Sequence, residues 1–224
     1  MEKDPLKPTI IESGDGSHTL RVDSLNEHYH SHKGAVQESE YVFLKMGFES
    51  LKVKANITLL EVGFGTGLNA LLTALKAQRN QVHYITLETY PLPVDITSRL
   101  NYVERIHGEG VNRLFQDMHA SAWEQKIQIT EGFTLEKRRC SLQAVEALPP
   151  IDIVYYDAFA PHAQPELWEP AIWAKLHACM ASGGILVTYC AKGQVRRDMQ
   201  AAGFLVERLE GPPGKREMLR ATKP

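Results

Sequence analysis

Residues 59–69, LLEVGFGTGLN, constrain the fold more than any other stretch of the chain. Two apolar residues lead to an acid, Glu61. Three glycines follow at alternate positions, Gly63, Gly65 and Gly67, and an apolar, helix-favouring run continues over residues 68–75. This reads as a strand, a glycine turn and the start of a helix. Glycines let the backbone bend sharply and approach a ligand with no Cβ in the way. A helix that begins there points unpaired N–H groups at that ligand.

From residue 57 onward the sequence alternates between the two kinds of element. Strands are expected over 57–62, 82–88, 151–156 and 185–190, and helices over 68–77, 94–105, 112–124, 141–148, 168–180 and 195–202. Residues 151–156 form an unbroken apolar and aromatic run, as a strand covered on both faces requires. Glu131-Gly132 joins two short strands, 126–130 and 133–140, as a hairpin. Pro149-Pro150 is expected to stop one helix and Gly183-Gly184 another. Residues 204–209 and 217–222 read as a closing antiparallel pair. Ahead of this core, 9–11 and 18–22 flank Ser13-Gly14-Asp15-Gly16 as a β-hairpin, and 34–46 is helical. The expected fold is α/β, with a mostly parallel sheet, helices on both faces and an antiparallel C-terminal edge pair. Residues 1–56 are expected to be an N-terminal hairpin-and-helix subregion packed on a main domain, 57–224, in what is overall a single-domain chain.

Composition narrows the class. The chain has 224 residues, 43% hydrophobic and 23% charged, with a net charge of −2. Any nucleic-acid surface must therefore be local. MEKDPLKPT has no apolar core and is not expected to act as a leader. No apolar run reaches the roughly 18 residues of a membrane span. Cys140, Cys179 and Cys190 are an odd, widely spaced set, which suggests free thiols in a reducing cytosol and a cytoplasmic protein. His28, His30 and His32 alternate, but no cysteine or close carboxylate set completes a familiar ligand pattern, so no metal is expected.

The glycine spacing indicates the ligand. The dinucleotide fingerprint is Gly-x-Gly-x-x-Gly; here it is Gly-x-Gly-x-Gly, preceded by Glu61. That variant resembles the first motif of Rossmann-like, class I S-adenosylmethionine-dependent methyltransferases. It implies S-adenosylmethionine as cofactor, with Glu61, Gly63, Gly65, Gly67 and Asn69 on its side of the site. Two further strand ends carry informative residues, as open α/β sheets bind ligands beyond the carboxyl ends of their strands. Glu88 lies about 20 residues after the last glycine, where an acid accepts ribose hydroxyls. Asp157 ends the buried strand beside the place of the transferred group and begins Asp157-Ala-Phe-Ala-Pro161. A carboxylate there can hold the N–H groups of an amine, accept its proton and offset the charge that builds on nitrogen. Phe159 in that turn either stacks on a base or packs under the loop.

EVGFGTGLN, YYDAFAP with PELWEP behind it, VRRDMQAAGF and GKREML occur in order, with NEHYHSHKGAVQESEYVF upstream. Together they resemble the bacterial tRNA 5-(aminomethyl)-2-thiouridine methyltransferase family, whose members occur alone (the MnmD type) or as the methyltransferase half of a bifunctional MnmC protein. The resemblance runs from about Ser13 to Leu219. It implies methylation of the primary amine of wobble 5-aminomethyl-2-thiouridine in tRNA, giving 5-methylaminomethyl-2-thiouridine. It puts Asp157 in the catalytic position, and Tyr29, His30, Glu38, Phe159, Lys215 and Arg216 on the substrate or RNA side, facing the anticodon arm. The flavin-dependent (FAD) oxidoreductase domain of the bifunctional form is expected to be absent, since the sequence ends at Pro224. One departure stands out. Where the family often has Gly-Asp after the hairpin to read adenine, this chain has Cys140-Ser141, so that either the Ser141 hydroxyl or a backbone carbonyl must serve.

Three basic runs are candidates for phosphate contact: Lys137, Arg138 and Arg139; Lys192, Arg196 and Arg197; and Lys215, Arg216 and Arg220. The competing functions are an N-methyltransferase of a small amine, an aminopropyltransferase resembling spermidine synthases, and a non-catalytic Rossmann-like binding module.

Overall fold

The computed structural model describes residues 7–52, 54–77 and 80–224. A small antiparallel sheet comes first: β1 (Thr9–Glu12), β2 (His18–Val22) and β3 (Glu27–His28), in the order β1-β2-β3. Helix α1 (Ala35–Ser39) follows and widens into a π-helical turn over Glu40–Lys45, then a 3-10 turn at Phe48–Ser50. The central sheet begins at β4 (Asn56–Val62), followed by α2 (Leu68–Lys76), β5 (Gln81–Leu87), α3 (Val94–Thr97), α4 (Tyr102–Arg105) and α5 (Val111–Ala120). Next come β6 (Lys126–Thr130), β7 (Phe133–Arg138), β8 (Ile151–Tyr156), α6 (Pro170–Cys179), β9 (Met180–Thr188), α7 (Gly193–Ala201), β10 (Leu205–Glu210) and β11 (Glu217–Thr222).

The eight strands of the central sheet run β10-β11-β9-β8-β4-β5-β7-β6. β9, β8, β4, β5 and β7 are mutually parallel, while β6, β10 and β11 close the edges antiparallel. The chain starts in the middle, at β4, and works outward first to one side through β5 and then to the other through β8. The switch therefore falls between β4 and β8. Register does the rest: Val62 pairs with Leu87 on one side and Tyr156 on the other. The next residues, Gly63, Glu88 and Asp157, are thereby brought side by side at the carboxyl end of the sheet, where such folds bind ligands.

The central strands β4, β5 and β8 are buried on both faces, so alternation along each one divides two cores. Leu59, Tyr84, Ile153 and Tyr155 join α2, α5 and the segment around Phe43. Leu60, Ile85, Val154 and Tyr156 join α6 and α7 through Trp168, Trp173 and Leu176. All six residues of β8 are buried, as its unbroken apolar run demands.

Four expectations are corrected. The single helix over 94–105 is two short ones, because Asn101 leaves the helical path to serve the N-terminal hairpin. Its Oδ1 accepts the His18 N–H at 2.7 Å and its Nδ2 donates to the Gly16 carbonyl at 2.9 Å, the competition with helix that asparagine characteristically offers. Residues 141–148 make one turn closed on the Ser141 carbonyl, not a helix; only Leu142 and Val145 there are buried apolar anchors. Gly183-Gly184 lies inside β9, which begins directly after α6. A Cβ on Gly184 would stand 2.8 Å from the Ala181 carbonyl oxygen and 3.1 Å from that of Asp152, so the glycine admits a close backbone approach where the β8–β9 register shifts. Finally, α5 stops at Ala120, short of the expected 124.

Candidate active site

Two cavities meet at the carboxyl end of β8. The larger, about 300 Å³, is bounded by the glycine loop, the ends of β5 and β7 and the turn after β8. The smaller, about 240 Å³, lies under β3 and the segment that follows it. Tyr29, His30, Asp157, Ala158 and Phe159 belong to both walls. Asp157 is thus the titratable junction between two chambers, with its side chain 9% exposed.

The glycine loop forms one wall because only glycine fits. Gly63 has φ +94°, and a Cβ on it would come within 3.3 Å of the Asp157 carbonyl oxygen. Gly65 has φ +49°, and a Cβ would stand 3.0 Å from the Tyr29 ring. The Glu88 carboxylate spans the rim, accepting the Gly65 N–H at 3.0 Å and the Tyr90 N–H at 2.9 Å. Burial raises its pKa and these N–H groups oppose the rise. Ser141 lines the same cavity between Cys140 and Leu142, and its Oγ accepts the Ala144 N–H at 3.3 Å.

Glu61, Gly67 and Asn69 do not line either chamber; they stand behind the loop. Asn69 Nδ2 donates to Asp157 Oδ2 at 2.9 Å. Glu61 is fully buried and accepts the Thr86 hydroxyl at 2.7 Å; burial pushes its pKa up to about 8. The Glu61 Oε1 and Asn69 Oδ1 atoms have no hydrogen-bond partner among the described residues.

Asp157 itself is held well above the ordinary aspartate range, first by burial and then by the negative charge of Glu38, with the Asn69 hydrogen bond pulling the other way. His30 comes within 4.0 Å of it through Nδ1, while its Nε2 lies 2.7 Å from the Thr66 hydroxyl. Thr66 also accepts from the Tyr102 hydroxyl at 3.1 Å; with the Thr66 proton donated to His30 Nε2, the single N–H of the neutral ring is on Nδ1, facing Asp157. Burial lowers the His30 pKa to about 4, so the ring is neutral near pH 7. This contact clasps the N-terminal sheet onto the glycine loop.

In the smaller chamber Glu38 Oε1 accepts from Lys215 Nζ at 2.6 Å and Oε2 accepts the Ser31 N–H at 2.7 Å. The same ammonium lies 4.0 Å from the centroid of the Tyr189 ring, and the Tyr189 hydroxyl donates to the Ala158 carbonyl at 2.9 Å. Phe159 meets Tyr29 edge-to-face, with centroids 5.1 Å apart, at the boundary of the two chambers. Arg216, next to Lys215, is exposed.

The basic runs separate by burial. Lys137 is 1% exposed and donates to the Met118 and His119 carbonyls, so it is a core residue and cannot reach a phosphate. Arg138 pairs with Glu136 at 2.8 Å and Arg220 with Glu207 at 3.1 Å. Among the histidines, the rings of His28 and His32 lie 5.6 Å apart, with His30 turned inward between them. Among the described residues no group of three or more His, Cys, Asp or Glu is disposed to hold a metal ion.

Several site residues escaped sequence reasoning. Tyr189 sits just past the end of β9, so the strand-end rule that singled out Glu88 and Asp157 could have found it. Thr66 and Gln164 carried no signal; Gln164 accepts the Phe159 N–H at 3.1 Å and so shapes the turn over the junction.

A doubly wound open sheet with a glycine loop after its first parallel strand, an acid ending the next and a cavity at the switch point is the architecture of a Rossmann-like, class I methyltransferase. The family described as S-adenosyl-L-methionine-dependent methyltransferase matches residues 109–224, just over half the chain. The chain belongs to that family and is an S-adenosylmethionine-dependent enzyme. It is 30% identical over 233 residues to a protein of Paraburkholderia phymatum named tRNA 5-methylaminomethyl-2-thiouridine biosynthesis bifunctional protein MnmC, covering 96% of this chain and 35% of that protein. A Campylobacter hominis protein of the same name is 28% identical over 206 residues, 89% of this chain and 30% of the other. The chain thus spans about a third of the length of these relatives. Among solved structures, MNMC2 from Aquifex aeolicus superposes with a TM-score of 0.80 at 26% identity, over all of this chain and 71% of the other. A spermidine synthase from Thermotoga maritima shares the fold, with a TM-score of 0.62 at 13% identity over 99% of this chain and 70% of that one. No described helix is long and apolar enough to cross a membrane.

Proposed function

We propose that this chain methylates the primary amine of 5-aminomethyl-2-thiouridine at the wobble position of tRNA, giving 5-methylaminomethyl-2-thiouridine. The observation that carries this reading is the junction: one cavity suited to the cofactor and one lined with carboxylates and aromatic rings open onto the same buried aspartate. The names of the relatives supply the substrate.

S-adenosylmethionine supplies an electrophilic methyl group on a positively charged sulfur. The larger chamber fits it. Glu88, already accepting two N–H groups, offers its carboxylate to the ribose hydroxyls, and Gly63 and Gly65 keep the loop close without side chains. Ser141 and Cys140 flank the place for adenine, which the family's usual acid would otherwise read. Gly67 begins helix α2, and Glu61 and Asn69 brace the loop and orient Asp157 from behind.

The aminomethyl group enters from the smaller chamber. An alkylammonium has no lone pair, so a proton must leave before transfer. Asp157 accepts hydrogen bonds from the amine nitrogen, and its raised pKa makes it a better proton acceptor than a surface aspartate. With S-adenosylmethionine bound, the amine that has lost its first proton to water would take the methyl group from sulfur, and the proton then shed by the methylated nitrogen would pass to Asp157. Phe159 and Tyr29 form a rim against which the thiouridine ring can stack. Exposed Arg216 faces the phosphates of the anticodon arm, with the cytoplasm as the setting for such a tRNA enzyme.

The test is mass spectrometry of nucleosides from tRNA bearing 5-aminomethyl-2-thiouridine, after incubation with the purified protein and S-adenosylmethionine. The expected result is conversion to the methylaminomethyl nucleoside. Equal methylation of a free small amine would point to a small-molecule enzyme, and transfer only from the decarboxylated cofactor would point to an aminopropyltransferase.

A further inference from the structure

The smaller chamber holds more charge than one aspartate needs. Glu38 comes from α1, Glu27 and His28 from β3, His30 and His32 from the segment after it, Asp157 from the end of β8, and Lys215 from the turn before β11. Glu27 Oε1 lies 3.4 Å from His162 Nε2 at the rim. His30 is neutral at pH 7, and burial lowers His28 as well. Glu27 stands at the rim, and of the charged groups lining this chamber those that act on Asp157 are one carboxylate, Glu38, and one cation, Lys215.

Lys215 is built into this place. Its backbone N–H closes a turn on the Pro212 carbonyl at 2.9 Å. Gly211 lets that turn pack tightly, since a Cβ there would stand 2.5 Å from the Lys215 carbonyl oxygen. The side chain then runs inward over the Tyr189 ring to Glu38, whose other oxygen is already taken by Ser31. An ammonium over an aromatic face and 2.6 Å from a carboxylate is seated as a ligand would be. The side-chain contacts of Lys215 are with residues of the amine chamber, Glu38 and Tyr189, whereas Arg216 is exposed.

We propose that Lys215 is a charge-balancing positioning residue of the amine chamber: its ammonium neutralises Glu38, so that at the junction, inward of the rim carboxylate Glu27, Asp157 is the uncompensated carboxylate that meets the substrate amine. This deepens the methylation reading above and rests on it for the substrate. The consequence follows from like-charge repulsion and opposite-charge attraction. Two uncompensated carboxylates would hold an alkylammonium in its protonated form, which cannot attack a methyl group. With Glu38 neutralised, the amine releases its proton at lower pH, and Asp157 is also spared the full repulsion of Glu38; Glu38 raises the Asp157 pKa and Lys215 lowers it.

Two measurements test this on the whole protein. The first is single-turnover methylation of aminomethyl-bearing tRNA against pH, for the wild type, Lys215→Met, Lys215→Arg and the double variant Lys215→Met with Glu38→Gln. The acid limb of the rate profile is expected to move up by about one pH unit in Lys215→Met, the scale of one nearby charge. It should stay put in Lys215→Arg and return toward wild type in the double variant. A uniform loss of rate at every pH, or a change confined to the KM for tRNA, would overturn the proposal and make Lys215 a structural or RNA-contact residue. The second measurement needs no substrate: carboxyl-carbon NMR titration of Asp157 in the same proteins. Its midpoint should rise in Lys215→Met and fall back in the double variant. If the midpoint moves while no tRNA is methylated by the wild type, the substrate reading fails and the charge balance stands; an unmoved midpoint overturns the balance itself.

Discussion

At the scale of single residues, burial decides what each acid does. Asp157 touches the junction and is buried; Glu61 is buried with no access to either chamber. Asp157→Ala should lower turnover by about a hundredfold or more, the range of a general acid–base group, with little change in cofactor affinity measured by calorimetry. Asp157→Asn separates orientation from charge: retained activity that climbs with pH would assign the residue to orienting the amine, and an alanine-like rate to charge. Glu61 gives a prediction in stability. Its native pKa of about 8 exceeds the ordinary value of 4.5, so between those pH values the folded state binds the extra proton. Its contribution is complete below pH 4.5 and is lost as pH rises through 8. Glu61→Gln carries no such proton, so its stability relative to wild type should grow by about 1.4 kcal/mol per pH unit across that window. Denaturant unfolding of both proteins at pH 5, 6, 7 and 8 checks the slope; parallel curves would mean that Glu61 is ionised in the fold.

At the scale of elements, the N-terminal sheet is a wall of the site as well as a neighbour of it. Tyr29 and His30 follow β3 directly and reach the glycine loop, one against Gly65 and the other on Thr66. Gly65→Ala should therefore act twice, through a left-handed backbone that costs an L-residue about 1–2 kcal/mol and through a Cβ 3.0 Å from the Tyr29 ring. The expected result is cofactor affinity reduced about tenfold or more, with the Tyr29 ring displaced. Wild-type affinity in calorimetry would show that the loop relaxes freely and that the clasp does not shape the cofactor chamber.

At the scale of the molecule, a chain of net charge −2 can bind RNA only through local basic surface. Burial and ion pairing remove Lys137, Arg138 and Arg220 from that surface, and Lys215 turns inward. Arg216 remains exposed beside the chamber mouth. Arg216→Ala should weaken tRNA binding and flatten its logarithmic salt dependence by about one counterion. Filter binding across a salt series reads this directly, and an unaltered slope would place Arg216 outside the RNA footprint.

The parts legible in the sequence were those whose physics is local. Strand-glycine-helix chemistry marked residues 59–69, unbroken apolarity marked β8, and strand-end acids marked Glu88 and Asp157, because each depends on neighbours in the chain. Asn101 shows the limit: its helical context was local, but two hydrogen bonds to the hairpin more than 80 residues away overrode it. The same holds for charge. A run such as Lys137-Arg138-Arg139 looks alike at every position until the fold buries Lys137 on the inner face of β7, pairs Arg138 with Glu136 on the other and leaves Arg139, past the strand end, exposed. Lys215 and Arg216 differ through the turn before β11, which carries the first side chain inward to Glu38 and leaves the second exposed. Only the tertiary structure could bring Glu38, Tyr189 and Lys215 to the far side of Asp157, because Glu38 lies 177 residues from Lys215 and the three meet only once the sheet has set the register of the strands that carry them.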